Sequence, residues 1–233
     1  MTVSPDPRDL VTPGTGRVPW VVGVTGASGT PYAATLLRAL LAAGEDVDLI
    51  ISKAARLTVL DETGVRLRDA HWQADVAEWI GAEVQGVRYW SPANMAAGPA
   101  SGSYPAKGMV VVPATTSAVA GIALGTSKDL LQRAADVTLK ERRPLVVVVR
   151  ETPLRTPILE HMASLSREGA VILPASPAFY AGAADVQQLV DQLVGRVLDV
   201  CRVPHQLYRR WNGELGGARA ALDGRPLAST PDA

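Results

Sequence analysis

Short runs of β-branched and other apolar residues alternate along this chain with segments of helical periodicity. A continuous apolar run is typical of a strand covered on both faces, and strands that alternate with helices form parallel sheets. The pattern therefore predicts one α/β domain on a doubly wound, mainly parallel sheet of the Rossmann-like type. The predicted strands span residues 20–25, 47–52, 109–113, 145–149 and 170–173.

The helical segments begin and end at residues that suit helix ends. Thr30 and Pro31 can start the first helix, and Gly44 can end it. The stretch 64–104 is less regular, and we expect it to be a mobile, site-forming excursion with one short helix. No repeat or linker divides the chain, so we expect a leader at 1–18, one domain at 19–211 and a flexible tail at 212–233. The predicted helices span residues 30–41, 53–61, 73–80, 129–141, 156–167 and 186–198.

Charge and cysteine content narrow the possible partners. Twenty-three basic side chains balance twenty-three acidic ones, so we expect neither nucleic acid nor an anionic membrane as a partner. No segment has the roughly 20 consecutive apolar residues of a membrane-spanning helix. The single cysteine excludes an intramolecular disulfide, which favours a reducing cytoplasm. The three histidines are scattered without ligand spacing, so no metal site is expected.

The loop after the first strand is the first candidate site, because ligands of doubly wound sheets bind beyond the carboxyl ends of the strands. Gly26, Ala27 and Ser28 precede a helix start, where backbone N–H groups favour phosphate oxygens. The glycine spacing differs from both the dinucleotide fingerprint and the P-loop, so neither site is predicted. An ordinary tight turn remains the alternative.

The later strands deliver further hydroxyl and charged groups to the same edge of the sheet. Ser52 follows the second strand, and the helix behind it ends near Glu62. Residues 115–117 place three hydroxyls at the start of a helix, while Arg150 and Glu151 emerge from an apolar strand at the mouth of a water-poor site. Helix caps, solvated acids and an ion pair are the structural alternatives. These residues together predict a phosphate-bearing ligand at this edge.

Several ordered motifs are more specific than this chemistry. They are VTGASGTPY at 24–32, ISKAA at 51–55, ET at 62–63, ASGS at 100–103, RAADVTLKERRPLVVVVRETPL at 133–154, GAVILP at 169–174, PAFY at 177–180 and LVGRVLD at 193–199. Through them the sequence resembles the UbiX-like flavin prenyltransferase family over residues 21–211.

The resemblance implies a flavodoxin-like, FMN-binding fold that joins a dimethylallyl group to N5 and C6 of reduced FMN. The prenylated FMN would then serve a UbiD-like decarboxylase. Matched residue by residue, the family's FMN contacts fall on Gly26, Ala27, Ser28, Ser52, Thr115, Thr116, Ser117, Ala118 and Arg150.

The prenyl donor implied by the resemblance is dimethylallyl monophosphate. Its phosphate would be held by Arg133, Lys140, Tyr180 and Arg196, which are far apart in sequence. The resemblance therefore implies a homododecamer with sites at subunit interfaces. No metal is required.

The implied catalytic residues are Ser28, Glu62, Lys140 and Glu151. Glu151 would protonate the departing phosphate while Lys140 stabilises its charge. Glu62 and Ser28 would handle protons at the flavin.

Three positions depart from the pattern common in the family. Ala114 stands where many members have cysteine, Ala181 where many have histidine, and Met95 where some have tryptophan. The chain length of the donor, and the choice between monophosphate and pyrophosphate, therefore stay open.

Two alternatives also stay open. The first is an FMN-dependent decarboxylase acting directly on its substrate, although the chain lacks that group's Asn-Thr and histidine motifs. The second is a non-catalytic FMN-binding subunit, which would not need Lys140, Glu151, Tyr180 and Arg196 together.

Overall fold

The structure, a computed structural model, describes residues 16–178 and 183–210. Within these ranges six strands form one sheet in which every neighbouring pair is parallel. The strands are β1 (Trp20–Val24), β2 (Val47–Ile51), β3 (Val87–Trp90), β4 (Gly108–Ala114), β5 (Leu145–Val149) and β6 (Val171–Pro174). The helices are α1 (Thr30–Ala42), α2 (Lys53–Thr63), α3 (Trp72–Ile80), α4 (Thr116–Ala123), α5 (Leu130–Lys140), α6 (Thr156–Arg167) and α7 (Val186–Cys201).

Helices cover both faces of the sheet, as a doubly wound fold requires. Helices α1, α2, α3 and α7 contribute to the core on one face, and α4, α5 and α6 contribute to the core on the other. The four inner strands are buried along their whole length, which explains why they are almost entirely apolar, Asp48 of β2 being the charged exception. The strand order is β3-β2-β1-β4-β5-β6, the Rossmann order. The predicted fold class is confirmed.

The prediction for residues 64–104 was wrong in one respect, because this stretch contains strand β3. It pairs in parallel with β2, and Arg88 lies opposite Asp48. The buried Asp48 carboxylate accepts hydrogen bonds from Arg88 Nε at 2.7 Å, Trp90 Nε1 at 2.9 Å and Tyr104 O–H at 2.7 Å. Arg88 is thus neutralised inside the sheet, whereas in the sequence it interrupts the apolar run that would have predicted a strand.

The other predicted elements are present with small shifts at their ends. Helix α6 spans the predicted residues, whereas α7 continues to Cys201. Residues 1–15, 179–182 and 211–233, which include most of the predicted leader, Tyr180, Ala181 and the predicted tail, lie outside the described residues. Among the helices that are described, none has the length and apolar character needed to cross a membrane.

Candidate functional site

A cavity of about 800 Å³ lies beyond the carboxyl ends of the central strands. Strand β1 is flanked by β2 on one side and β4 on the other, so the strand order reverses here, and such a crevice is where doubly wound folds bind ligands. The volume suits a small organic molecule. The predicted site residues that line the cavity are Gly26, Ser52, Thr115, Thr116, Ser117, Ala118 and Glu151.

Two helices begin at the wall of this cavity with a hydroxyl at the N-cap. Ser52 Oγ accepts a hydrogen bond from Ala55 N at 3.1 Å, and Thr115 Oγ1 accepts one from Ala118 N at 3.1 Å. Each hydroxyl can still donate its own hydrogen. Capping by Ser52 and Thr115 is therefore compatible with ligand binding by the same hydroxyls, and the partial positive ends of α2 and α4 both favour an anion in the cavity.

The floor of the cavity is held by contacts between the two central strands and α2. Thr25 Oγ1 donates to Pro113 O at 2.7 Å and accepts from Thr115 N at 2.8 Å, so one buried hydroxyl joins the ends of β1 and β4. A Cβ atom at Gly26 would lie 2.6 Å from Ala54 Cβ. Glycine at position 26 is therefore what allows the loop to approach α2. Thr25 and Ala54 lie in the motifs VTGASGTPY and ISKAA, but sequence reasoning assigned neither residue a role.

The loop between β1 and α1 differs from the expected phosphate site. The Glu62 carboxylate, at the end of α2, accepts hydrogen bonds from Gly29 N at 2.9 Å, Thr30 N at 2.8 Å and Thr30 Oγ1 at 2.6 Å. These N–H groups at the start of α1 therefore already have an anionic partner within the chain. Ala27 and Ser28 follow Gly26 but do not line the cavity.

Glu62 is held in its ionised form by its neighbours. Partial burial favours the neutral acid, but hydrogen bonds from Ser28, Thr30 and Gly29 outweigh burial and hold the pKa of Glu62 below its ordinary value. A carboxylate that is ionised and hydrogen-bonded to a serine hydroxyl can accept a proton from it. The predicted pair of Ser28 and Glu62 is thus brought together.

Arg150 and Glu151 occupy different environments at the end of β5. Arg150 Nε is buried and has no hydrogen-bond partner among the described residues, an arrangement that costs free energy unless a ligand or water satisfies it. Its charge also acts on Tyr32: burial raises the pKa of the Tyr32 phenol, and nearby Arg150 opposes this shift. Glu151 lines the cavity but is exposed, and its Oε1 accepts from Thr152 N at 3.1 Å. The single chain therefore does not supply the water-poor setting expected for Glu151.

Two of the described donor-binding candidates, Arg133 and Lys140, lie on α5 next to residues 100–102, whereas the third, Arg196, lies on α7. Arg133 Nε donates to Ala100 O at 3.1 Å, and Lys140 pairs with its neighbour Glu141. Arg196 lies on α7, at 3.0 Å from Asp199. None of the three lines the cavity. Lys140 is about 12 Å along α5 from Gln132, which does line it.

Arg196 belongs to a polar cluster that sequence reasoning missed. Asp199 accepts hydrogen bonds from Arg196 Nη1 at 3.0 Å, His205 Nε2 at 3.0 Å and Arg210 Nη2 at 2.8 Å, and from the Tyr208 hydroxyl. Burial opposes the charge on Asp199, but these donors outweigh it and hold the pKa well below its ordinary value. The cluster fixes residues 203–210 against the end of α7.

Met95 and Ala114, two of the positions that depart from the family pattern, differ in their access to the cavity. Met95 lines it and is 47% exposed, so its side chain can shape the space next to a ligand. Ala114 is fully buried at the end of β4. Lys53, Arg56, Asp69 and Lys128 add charged groups to the lining, although no recognised motif beyond ISKAA pointed to them.

Comparison with known proteins gives consistent matches over most of the chain. The Flavoprotein family model matches residues 13–198. The chain is 63% identical over 213 residues to the flavin prenyltransferase UbiX of Streptomyces coelicolor, covering 87% of this chain and 99% of that one. It is 42% identical over 192 residues to the UbiX of Pseudomonas aeruginosa, covering 82% and 92%.

Two solved structures match the fold. A UbiX protein in complex with FMN and dimethylallyl pyrophosphate has a TM-score of 0.77 at 39% identity, covering 85% of this chain and 99% of that one. A dodecameric FMN-dependent UbiX-like decarboxylase from Escherichia coli O157:H7 has a TM-score of 0.74 at 39% identity, covering 84% and 100%.

A Rossmann-ordered sheet with an anion-favouring cavity at its switch point defines an α/β protein with a site for an anionic ligand. The family matches extend this conclusion. The chain belongs to the Flavoprotein family and, within it, to the UbiX flavin prenyltransferases. The family predicted from the sequence motifs is confirmed.

Proposed function

We propose that this protein transfers a dimethylallyl group from dimethylallyl monophosphate to N5 and C6 of reduced FMN, and that a UbiD-like decarboxylase uses the prenylated product. The observation that carries the proposal is the meeting of two hydroxyl-capped helix starts, at Ser52 and Thr115, in one cavity at the switch point of the sheet. The 63% identity to a flavin prenyltransferase supports the reaction.

The residues of the site fit FMN. The hydroxyls of Ser52 and of residues 115–117, with the helix starts behind them, suit a phosphate and a polyol chain. Arg150 does not line the cavity, but its buried, unpartnered Nε offers a donor that a bound ligand could satisfy. Gly26 and Ala118 line the cavity with small residues that leave room for a ligand. Ala27 and Ser28 would contact the bound FMN from the β1–α1 loop.

When bound, reduced FMN supplies two nucleophilic positions, N5 and C6, for the two new carbon bonds. Ser28 would relay a proton between the ligand and Glu62. The hydrogen bonds that lower the pKa of Glu62 keep this carboxylate ionised at neutral pH, so it is free to take up that proton, although the same bonds make it a weaker base.

The donor phosphate would be held by Arg133, Lys140, Tyr180 and Arg196. Arg133, Lys140 and Arg196 lie away from the cavity in one chain, so a second copy must bring such residues to it. We therefore propose a homododecamer with sites at subunit interfaces, supported by the dodecameric relative. The cations would stabilise the charge that grows on the leaving phosphate.

Glu151 would protonate that phosphate. It is exposed in the single chain, and contact with another subunit would remove water from it. A carboxylic acid in such a setting can hold its proton long enough to donate it.

A direct FMN-dependent decarboxylase is the second candidate, because one related structure is described as a UbiX-like decarboxylase. Against it, no histidine of the described residues lines the cavity, whereas the histidine motif of the directly acting decarboxylases would be expected there. The third possibility is a protein that binds FMN without catalysis.

Mass spectrometry of the released flavin separates these functions. The protein is incubated without oxygen with reduced FMN and either dimethylallyl monophosphate or the pyrophosphate. The proposal expects FMN heavier by one C5 prenyl unit, formed faster from the monophosphate. Unmodified FMN from both donors would contradict it, and carbon dioxide release from an acid substrate would favour the decarboxylase.

We also propose a cytoplasmic location. The support is the single cysteine of the sequence, Cys201, which is buried and unpaired.

A further inference from the structure

The segment between α4 and α5 places a lysine at the wall of the flavin cavity that the predicted site does not include. Lys128 lines the cavity together with Ser117, and its Nζ lies 3.4 Å from Ser117 Oγ. Ser117 belongs to the first turn of α4. The ammonium group is therefore next to the hydroxyl-rich start of a helix.

The backbone at Lys128 is held in place by the helix that follows. Gln132 is 3% exposed, and its side-chain oxygen accepts hydrogen bonds from Thr126 Oγ1 at 2.7 Å and Lys128 N at 3.3 Å. A Cβ atom at Gly121 would lie 2.3 Å from Gln132 Nε2, so glycine lets α4 and α5 approach closely enough for this arrangement. The position of Lys128 is thus fixed relative to α4.

The charges around the cavity leave the Lys128 ammonium without an acidic partner. Arg56 forms an ion pair with Asp69, and Asp129 caps α5 by accepting from Gln132 N at 3.0 Å. Among the described residues, Lys128 forms no salt bridge, and its hydrogen-bond partner through Nζ is Ser117. An unpaired cation beside a helix N-terminus at the edge of a cavity selects for an anionic group.

We propose that Lys128 binds the phosphate group of FMN and gives the site its preference for FMN over riboflavin. This inference rests on the proposed function, since it requires a flavin in the cavity. Lys128 acts in binding: the ammonium is one more charged donor to the phosphate, beyond the hydroxyls of Ser52, Thr115 and Ser117.

The test compares the affinities of two ligands that differ only in phosphate. Binding of FMN and of riboflavin to the full-length protein is measured by quenching of flavin fluorescence, for the wild type and Lys128→Gln. The Kd for FMN is expected to rise about tenfold, which corresponds to about 1.4 kcal/mol, while the Kd for riboflavin changes less than twofold. Lys128→Arg is expected to restore most of the FMN affinity.

The exposed Arg66 lies outside the cavity lining, so Arg66→Gln is the matched control and is expected to leave both affinities unchanged. An unchanged FMN affinity in Lys128→Gln would overturn the inference. An equal loss for FMN and riboflavin would also overturn it, because the lysine would then contact the rest of the flavin.

Failure of the inference can be told apart from failure of the proposed function. If wild type binds FMN and prenylates it while Lys128→Gln keeps the wild-type FMN to riboflavin ratio, the inference alone fails. If wild type binds neither flavin, both fail.

Discussion

Replacing Gly26 with alanine tests whether the close approach of the β1–α1 loop to α2 shapes the flavin site. The new Cβ would lie 2.6 Å from Ala54 Cβ and 3.1 Å from the Ala54 carbonyl carbon, well inside van der Waals contact. One extra methyl group in a packed contact costs about 2 kcal/mol. For a chain of this length that corresponds to a melting temperature about 4–8 °C lower.

The assay is thermal unfolding of flavin-free protein at one fixed protomer concentration, followed by FMN titration. Because the loop must move away from α2, we expect Gly26→Ala to weaken FMN binding as well as to destabilise the fold. Ala54→Gly is the matched partner: alone it costs up to about 1 kcal/mol, the penalty for glycine in a helix. Combined with Gly26→Ala it removes the shortest clash but leaves the 3.1 Å contact.

The double variant is therefore expected to recover part of the loss, with a coupling free energy of about 1 kcal/mol. If Gly26→Ala melts within 1 °C of wild type, or if the two single effects simply add, the steric reasoning is refuted.

Three further predictions concern charged groups. Glu62→Gln should lower the melting temperature at pH 7 by about 2–4 °C, since the carboxylate caps α1. The pKa of Glu62 is lowered from 4.5 in the folded protein, so its stabilisation is present above pH 4.5 and is lost as pH falls through the folded pKa; a gap to wild type that does not shrink as the pH is lowered below 4.5 would contradict this. Glu151→Gln should slow prenylation about 100-fold with FMN affinity unchanged, and equal turnover would exclude the acid role. Asp199→Asn should release residues 203–210, which faster tryptic cleavage at Arg209 or Arg210 would reveal; wild-type resistance would show that the ion pairs do not hold the segment.

The sheet could be predicted from the sequence because its inner strands are buried on both faces. Strand β5 has five consecutive buried apolar residues, because neither of its faces meets solvent. Its composition alone therefore identifies it as a strand. Strand β3 was not predicted, because Arg88 interrupts its apolar sequence. The strand accommodates Arg88 through hydrogen bonds to Asp48 and Tyr104, which come from other parts of the chain.

In the site, too, the features set by the local sequence could be predicted, and those that depend on distant residues could not. Ser52 and Thr115 were predictable because a residue that follows a parallel strand necessarily lies at the binding edge. The hydrogen bonds that Glu62 accepts from Gly29 and Thr30 could not be predicted, because Glu62 is more than 30 residues from both. Only the packing of α2 against α1 brings these residues together. Lys128 escaped for a similar reason, since its position depends on the packing of α4 against α5.

The hydrogen bond from Thr25 to Pro113 affects when in folding a flavin can bind, and therefore how a flavin changes the unfolding rate. It joins residues 88 positions apart, so the floor of the cavity forms only when the centre of the sheet has paired, and contacts of such long range form slowly. A flavin that needs this floor binds the finished fold and stabilises it by mass action. It then slows unfolding without speeding folding, because it has nothing to hold before the sheet is complete. Flavin supply would thus set how long each folded chain survives, and not how fast new chains fold.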